Sequence, residues 1–103
     1  MAVPDKTETL LGFALKAKKI ILGTDDILSY HRAAYLILID PSLSENAQKK
    51  LIRHGEARNI PVRTVAAPLE DMLHRPGVKA VALTDKNMAA EIIKNAQRIV
   101  HGV

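Results

Sequence analysis

AYLILIDP, residues 34–41, is the stretch on which the fold turns. Residues 34–39 are apolar throughout, without polar alternation, and Asp40 and Pro41 end the run. So short and continuous a run is what a strand covered on both faces requires, because neither of its sides is left to water. The reading predicts a central strand with helices on both sides of its sheet.

Working outward toward the C-terminus, Ser42 and Glu45 have capping-box spacing. They predict a helix to about Arg58, with Ala47, Leu51, Ile52 and Gly55 facing inward and Lys49, Lys50 and Arg53 facing out. Pro61 suits a strand start, and residues 62–65 read as that strand. Pro68 fits the first turn of a short helix ending at Leu73. His74, Arg75, Pro76 and Gly77 then form a loop before a strand over residues 78–83. Thr84 or Asp85 caps a last helix in which Met88, Ile92, Ile93, Ala96 and Val100 share a face, and Gly102 can end it.

Toward the N-terminus, residues 6–17 read as a helix with Leu10, Leu11, Ala14 and Leu15 on one face and Phe13 at its margin. Lys16, Lys18 and Lys19 follow, where cations suit a helix C-terminus. A short strand over residues 19–22 leads into Gly23, which permits a tight turn, and Thr24 can cap a helix over residues 25–31. Helical and extended patterns alternate without a repeat or linker. The expectation is an α/β fold: one domain spanning residues 1–103, built as a three-layer α/β/α sandwich on a four-stranded mixed sheet.

Of the 103 residues, 48% are hydrophobic and 25% charged, as in an ordinary folded protein, and the net charge of +4 inclines the chain toward an acidic partner such as nucleic acid. Phe13, Tyr30 and Tyr35 are the aromatic residues, too few for recognition built mainly on base stacking. The absence of cysteine excludes disulfides, thiolate metal sites and a cysteine nucleophile, and fits a reducing cytoplasm. The N-terminal residues do not resemble a signal peptide and the longest apolar run is too short to span a bilayer, so neither export nor membrane insertion is expected. His31, His54, His74 and His101 fall in different elements without metal-ligand spacing, and no nucleophile elbow or phosphate loop is present. Neither a cofactor nor a metal is expected. Asp25 and Asp26 are adjacent, so on a helix they diverge by about 100°, and acids in a first turn are favoured by the dipole alone.

Taken together, LLGFALKAKKIILGTDDIL at residues 10–28, SENAQKKL at 44–51, IPVRTV at 60–65 and VKAVALTDKNMAAEI at 78–92 resemble the ribosomal protein L-seven-Ae and L-thirty-e superfamily, and more narrowly its bacterial ribosomal-protein-like members. The resemblance covers about nine tenths of the chain in the same element order. It implies an α/β/α sandwich that grips a kink-turn, a sharp bend in duplex RNA flanked by sheared G·A pairs. In that family the turn and helix after the first strand carry a Gly-x-Asn-Glu pattern with a lysine further along the helix. Here the corresponding residues are Gly23, Thr24, Asp25, Asp26 and Ser29. Asp25 replaces an amide that can donate hydrogen bonds, and Ser29 lacks the cation. The family's second contact, an apolar loop before the last strand, maps onto residues 72–77, where Leu73 and Pro76 would pack on splayed nucleotides and Arg75 would meet the backbone. Met72 and Leu73 read equally well as core, with Arg75 solvated.

Two functions follow from this reading. The first is a non-enzymatic RNA-binding protein, ribosome-associated or a ribosomal protein homologue, recognising a kink-turn or rRNA through shape and charge. Its surfaces would be Lys18, Lys19, Gly23, Thr24, Asp25, Asp26, Ser29, His31 and Arg32 on one side and Leu73, Arg75 and Pro76 on the other. The second is a protein-interaction module that keeps the fold and has lost kink-turn specificity. Either would work as a monomer or weak oligomer, with ribosomal proteins among its neighbours.

Overall fold

The computed structural model of the chain describes residues 6–95 and 99–100. The elements in chain order are α1 (Thr7–Ala17), β1 (Ile20–Leu22), α2 (Thr24–Ser29), β2 (Leu36–Ile39), α3 (Glu45–Arg58), β3 (Val62–Val65), α4 (Leu69–Leu73), β4 (Ala80–Leu83), α5 (Lys86–Asn95) and β5 (Ile99–Val100). The strands lie in the order β1-β4-β2-β3-β5. β2 and β3 are parallel, joined through α3, and the remaining pairs are antiparallel. The sheet is therefore mixed, and β2 lies inside it as expected.

Strand alternation sorts the core into two layers. Leu36 and Leu38 of β2 and Val81 and Leu83 of β4 point to one face, where they pack with Leu11 and Ala14 of α1, Leu69 and Met72 of α4, and Ala89 and Ile92 of α5. Ile37 and Ile39 with Ala80 and Ala82 point to the other, against Ile27 of α2 and Leu51 of α3. All eight of these β2 and β4 residues are buried. The expected α/β/α sandwich is present, with α1, α4 and α5 on one side of the sheet and α2 and α3 on the other.

Several local expectations are corrected. Val100 belongs not to the last helix but to β5, a two-residue strand added to the four expected ones and paired with Thr64 and Val65 of β3. Ala96 and Gly102 lie outside the described residues. Ile93 is exposed, while Ala89 takes the inward position on α5. The N-cap of α3 is Ser44, whose side chain accepts from the Ala47 amide at 3.3 Å. Ser42 is committed elsewhere, its Oγ donating to Asp40 Oδ2 at 2.6 Å. Gly23, not Thr24, is the N-cap of α2, and that helix stops at Ser29, leaving His31 in the following segment. Asp85 takes the capping role on α5, its Oδ1 accepting from the Met88 amide at 2.9 Å.

Candidate nucleic-acid interface

Sheet register decides which charged residues meet. Because β1 and β4 are antiparallel, the start of β1 lies beside the end of β4, and the Thr84 amide donates to the Lys19 carbonyl at 2.9 Å. The segment before β2 joins the same end through Tyr35, whose amide donates to the Leu83 carbonyl at 2.8 Å. The parallel pairing of β2 and β3 adds the residues before β3, with the Ile37 amide donating to the Pro61 carbonyl at 2.9 Å. Lys18, Lys19, Arg32, Arg58 and Lys86 consequently share one end of the sheet and are all exposed.

The carboxylates at this end leave that positive charge largely standing. Asp85 caps α5, and Glu56 in the last turn of α3 forms no ion pair with Arg32 or Arg58. Among the described residues neither arginine has a carboxylate partner. Arg58 instead places Nη2 3.0 Å from His31 Nδ1, so the guanidinium donates to an imidazole. His54, one helical turn before Arg58, has its pKa held below 6.5, first by burial and then by electrostatic interaction with Arg58 and His31.

The opposite end collects Gly23 and the loop before β4. The Gly23 amide donates to the Ala80 carbonyl at 2.9 Å, and the Asp40 amide to the Lys79 carbonyl at 2.8 Å. Gly23 has φ of 99°, so the expected glycine turn is there, but its amide is already engaged. Asp25 and Asp26 are exposed in the first turn of α2, and Glu70 and Asp71 occupy the first turn of α4. Lys79, the nearby cation, is bound to Glu70 at 2.7 Å. That hydrogen bond is the main reason the Glu70 carboxyl is held below its ordinary value and the Lys79 ammonium above its own.

The single surface expected for Lys18, Lys19, Gly23, Thr24, Asp25, Asp26, His31 and Arg32 is thus divided. Four-residue strands separate the ends by about 13 Å. Lys18, Lys19, His31 and Arg32 belong to the basic end, and Gly23, Thr24, Asp25 and Asp26 to the acidic one. Ser29 Oγ turns back to the Asp26 carbonyl at 3.3 Å. Leu73 is corrected as an RNA contact: it is only 4% exposed, because α4 packs it into the core under α1. Arg75 and Pro76 are exposed at the acidic end, where Arg75 borders a groove against Glu8, Gly12 and Lys16 of α1. His74 is exposed, and His101 lies outside the described residues.

Sequence reading missed Arg58, Asn59, Tyr35 and Lys86 as members of the basic end. A signal was present, since a strand-helix-strand unit with parallel strands returns the chain to the end from which it started. Applied to residues 34–65, that rule places residues 58–61 beside residues 31–35.

No protein-family model matches the sequence, and no curated protein does. Among solved structures, the chain is similar to a protein of unknown function from Bacillus halodurans C, with 18% identity and a TM-score of 0.80 over 88% of this chain and 96% of that one. The likeness is one of fold.

Proposed function

We propose that this chain is a non-enzymatic RNA-binding protein that holds RNA backbone against the basic end of its sheet, in a ribosome-associated, cytoplasmic setting. The observation that carries the reading is the grouping of Lys18, Lys19, Arg32, Arg58 and Lys86 at one end of the sheet, away from the end that holds Asp25, Asp26, Glu70 and Asp71 together with Lys79 and Arg75. Cations without carboxylate partners attract phosphate and release its counterions, while the acidic end repels it. The chain binds and orients RNA; no bond is made or broken. Kinked RNA remains the target class suggested by the sequence resemblance, but the backbone contact is assigned to the end away from Gly23.

The test is titration of a labelled kink-turn RNA, beside a control whose sheared G·A pairs are replaced by Watson–Crick pairs, at two salt concentrations. Affinity is expected to fall tenfold or more between roughly 50 and 200 mM salt. A Lys19→Glu/Lys86→Glu variant should weaken binding to both RNAs alike, because phosphate contacts carry no sequence information. Absence of binding, or binding indifferent to salt, would overturn the reading. The salt-indifferent result would favour a protein-interaction module, for which the exposed Phe13 and Ile93 on the α1 and α5 layer are the supporting feature.

A further inference from the structure

The segment before β2 and the C-terminal end of α3 enclose a cleft of about 390 Å³ within the basic end. His31, Arg32, Tyr35, Arg58 and Asn59 contribute to its lining. Tyr35, immediately before β2, lines this cleft together with Arg58 and Asn59 at the end of α3. Tyr35 is 37% exposed, so part of its ring is open to a ligand. The turn at Asn59, with φ of 57°, closes α3 and directs the chain back to the start of β3, leaving Arg58 beside His31.

The cleft combines two chemistries. Its arginines lack carboxylate partners among the described residues, and His31 offers Arg58 a hydrogen-bond acceptor without neutralising it. A guanidinium has five N–H donors, so the bond to His31 leaves a face for a phosphate oxygen. Tyr35 adds a partly exposed ring on which a base can stack. Phosphate and aromatic base together describe a nucleoside monophosphate unit. Within a duplex the base faces are taken by their neighbours, so the unit that can use Tyr35 is an unpaired nucleotide.

We propose that this cleft seats a single unpaired nucleotide of a structured RNA, with its base on Tyr35 and its phosphate at Arg32 and Arg58. The assignment rests on the RNA-binding reading and goes beyond it, since charge alone would hold paired and unpaired RNA alike.

The experiment compares two blunt-ended labelled RNA duplexes, identical except for one bulged nucleotide, with adenosine monophosphate titrated separately. Wild-type protein should bind the bulged duplex about tenfold more tightly than the fully paired one. Tyr35→Ala should reduce this preference to near unity while leaving affinity for the paired duplex within a few-fold, whereas Arg58→Gln should lower affinity for both duplexes and bring the preference to near unity as well. Tyr35→Phe, which keeps the ring, should retain it. Thermal melts of each variant establish that the fold is kept. Equal affinity of the wild type for both duplexes, or a preference unchanged in Tyr35→Ala and Arg58→Gln, overturns the nucleotide seat and leaves RNA binding standing. Saturation by adenosine monophosphate without any bulge preference assigns the cleft to free nucleotides and overturns its assignment to RNA. Failure to bind either duplex overturns both readings.

Discussion

Asp40 is 1% exposed, yet it sits at the end of a strand buried on both faces. Burial alone would raise its pKa, but hydrogen bonds from Ser42 Oγ, the Ser42 amide and the Leu69 amide, with Lys79 nearby, outweigh it and hold the carboxyl below its ordinary value. The ionised side chain thereby ties the end of β2 to the start of α4, residues 29 positions apart. Asp40→Ala removes a charged acceptor from three buried or half-buried donors and should cost about 2–3 kcal/mol, read as a lowered denaturant midpoint with an unchanged slope. Because the folded-state pKa lies below the unfolded one, the contribution of Asp40 is present above pH 3.8 and is lost as pH falls through the lower folded value. Acid titration should therefore destabilise the wild type in that range and the Asp40→Ala variant less. His54 is depressed from 6.5, so its proton is better held by the unfolded chain, and its share of stability declines as pH drops below 6.5. Arg58→Gln removes a positive neighbour, and NMR titration should show the His54 pKa moving back toward 6.5.

At the scale of elements, α3 is held against the sheet by close backbone approach as well as by Leu51. A Cβ at Gly55 would lie 2.6 Å from Val62 Cγ2 and 2.7 Å from the Ile60 carbonyl oxygen. The carbonyl belongs to backbone that cannot move without disturbing the start of β3. Gly55→Ala should cost about 1–3 kcal/mol in chemical denaturation despite the better helix propensity of alanine. The N-cap gives a second check: Ser44→Ala should cost about 1 kcal/mol through loss of the Ala47 bond. At the other end of the first helix, Lys18 has φ of 57° and its amide donates to the Leu15 carbonyl at 3.2 Å. Lys18→Gly should relieve a left-handed cost of about 1 kcal/mol, raising the melting temperature while weakening RNA affinity. Opposite signs in the two measurements would separate the structural role of this position from its electrostatic one.

Over the whole molecule, a mixed sheet with short strands gathers Lys18, Lys19, Arg32, Arg58 and Lys86 at one end and leaves Asp25, Asp26, Glu70 and Asp71, partly offset by Lys79 and Arg75, at the other. At 0.1 M salt the screening length is about 10 Å, comparable with the strand length, so the ends act almost independently. Asp25→Asn/Asp26→Asn should therefore change RNA affinity by less than about threefold at that salt. A gain of tenfold or more in the same titration would move the RNA contact to the Gly23 end and count against the basic end.

Much of this architecture is legible locally. The aliphatic run of residues 36–39, the end of α3, the bounds of β3, the glycine turn at residue 23 and the layered sandwich follow from apolar spacing and backbone preference, interactions that act over a few residues. Caps were less legible, because Ser42 and Ser44 present the same hydroxyl chemistry and only the buried Asp40 decides which one is taken. Val100 continued a helical pattern by spacing, but its pairing with Thr64 is a contact between residues far apart in the chain. The candidate site depended most on tertiary structure. Residue types and order alone established a basic, cysteine-free α/β chain with few aromatic residues. Which lysines and arginines meet, that Leu73 is spent on the core, and that Arg58 reaches His31 are consequences of strand direction and register, because charge acts through space and the sheet determines which distant residues become neighbours.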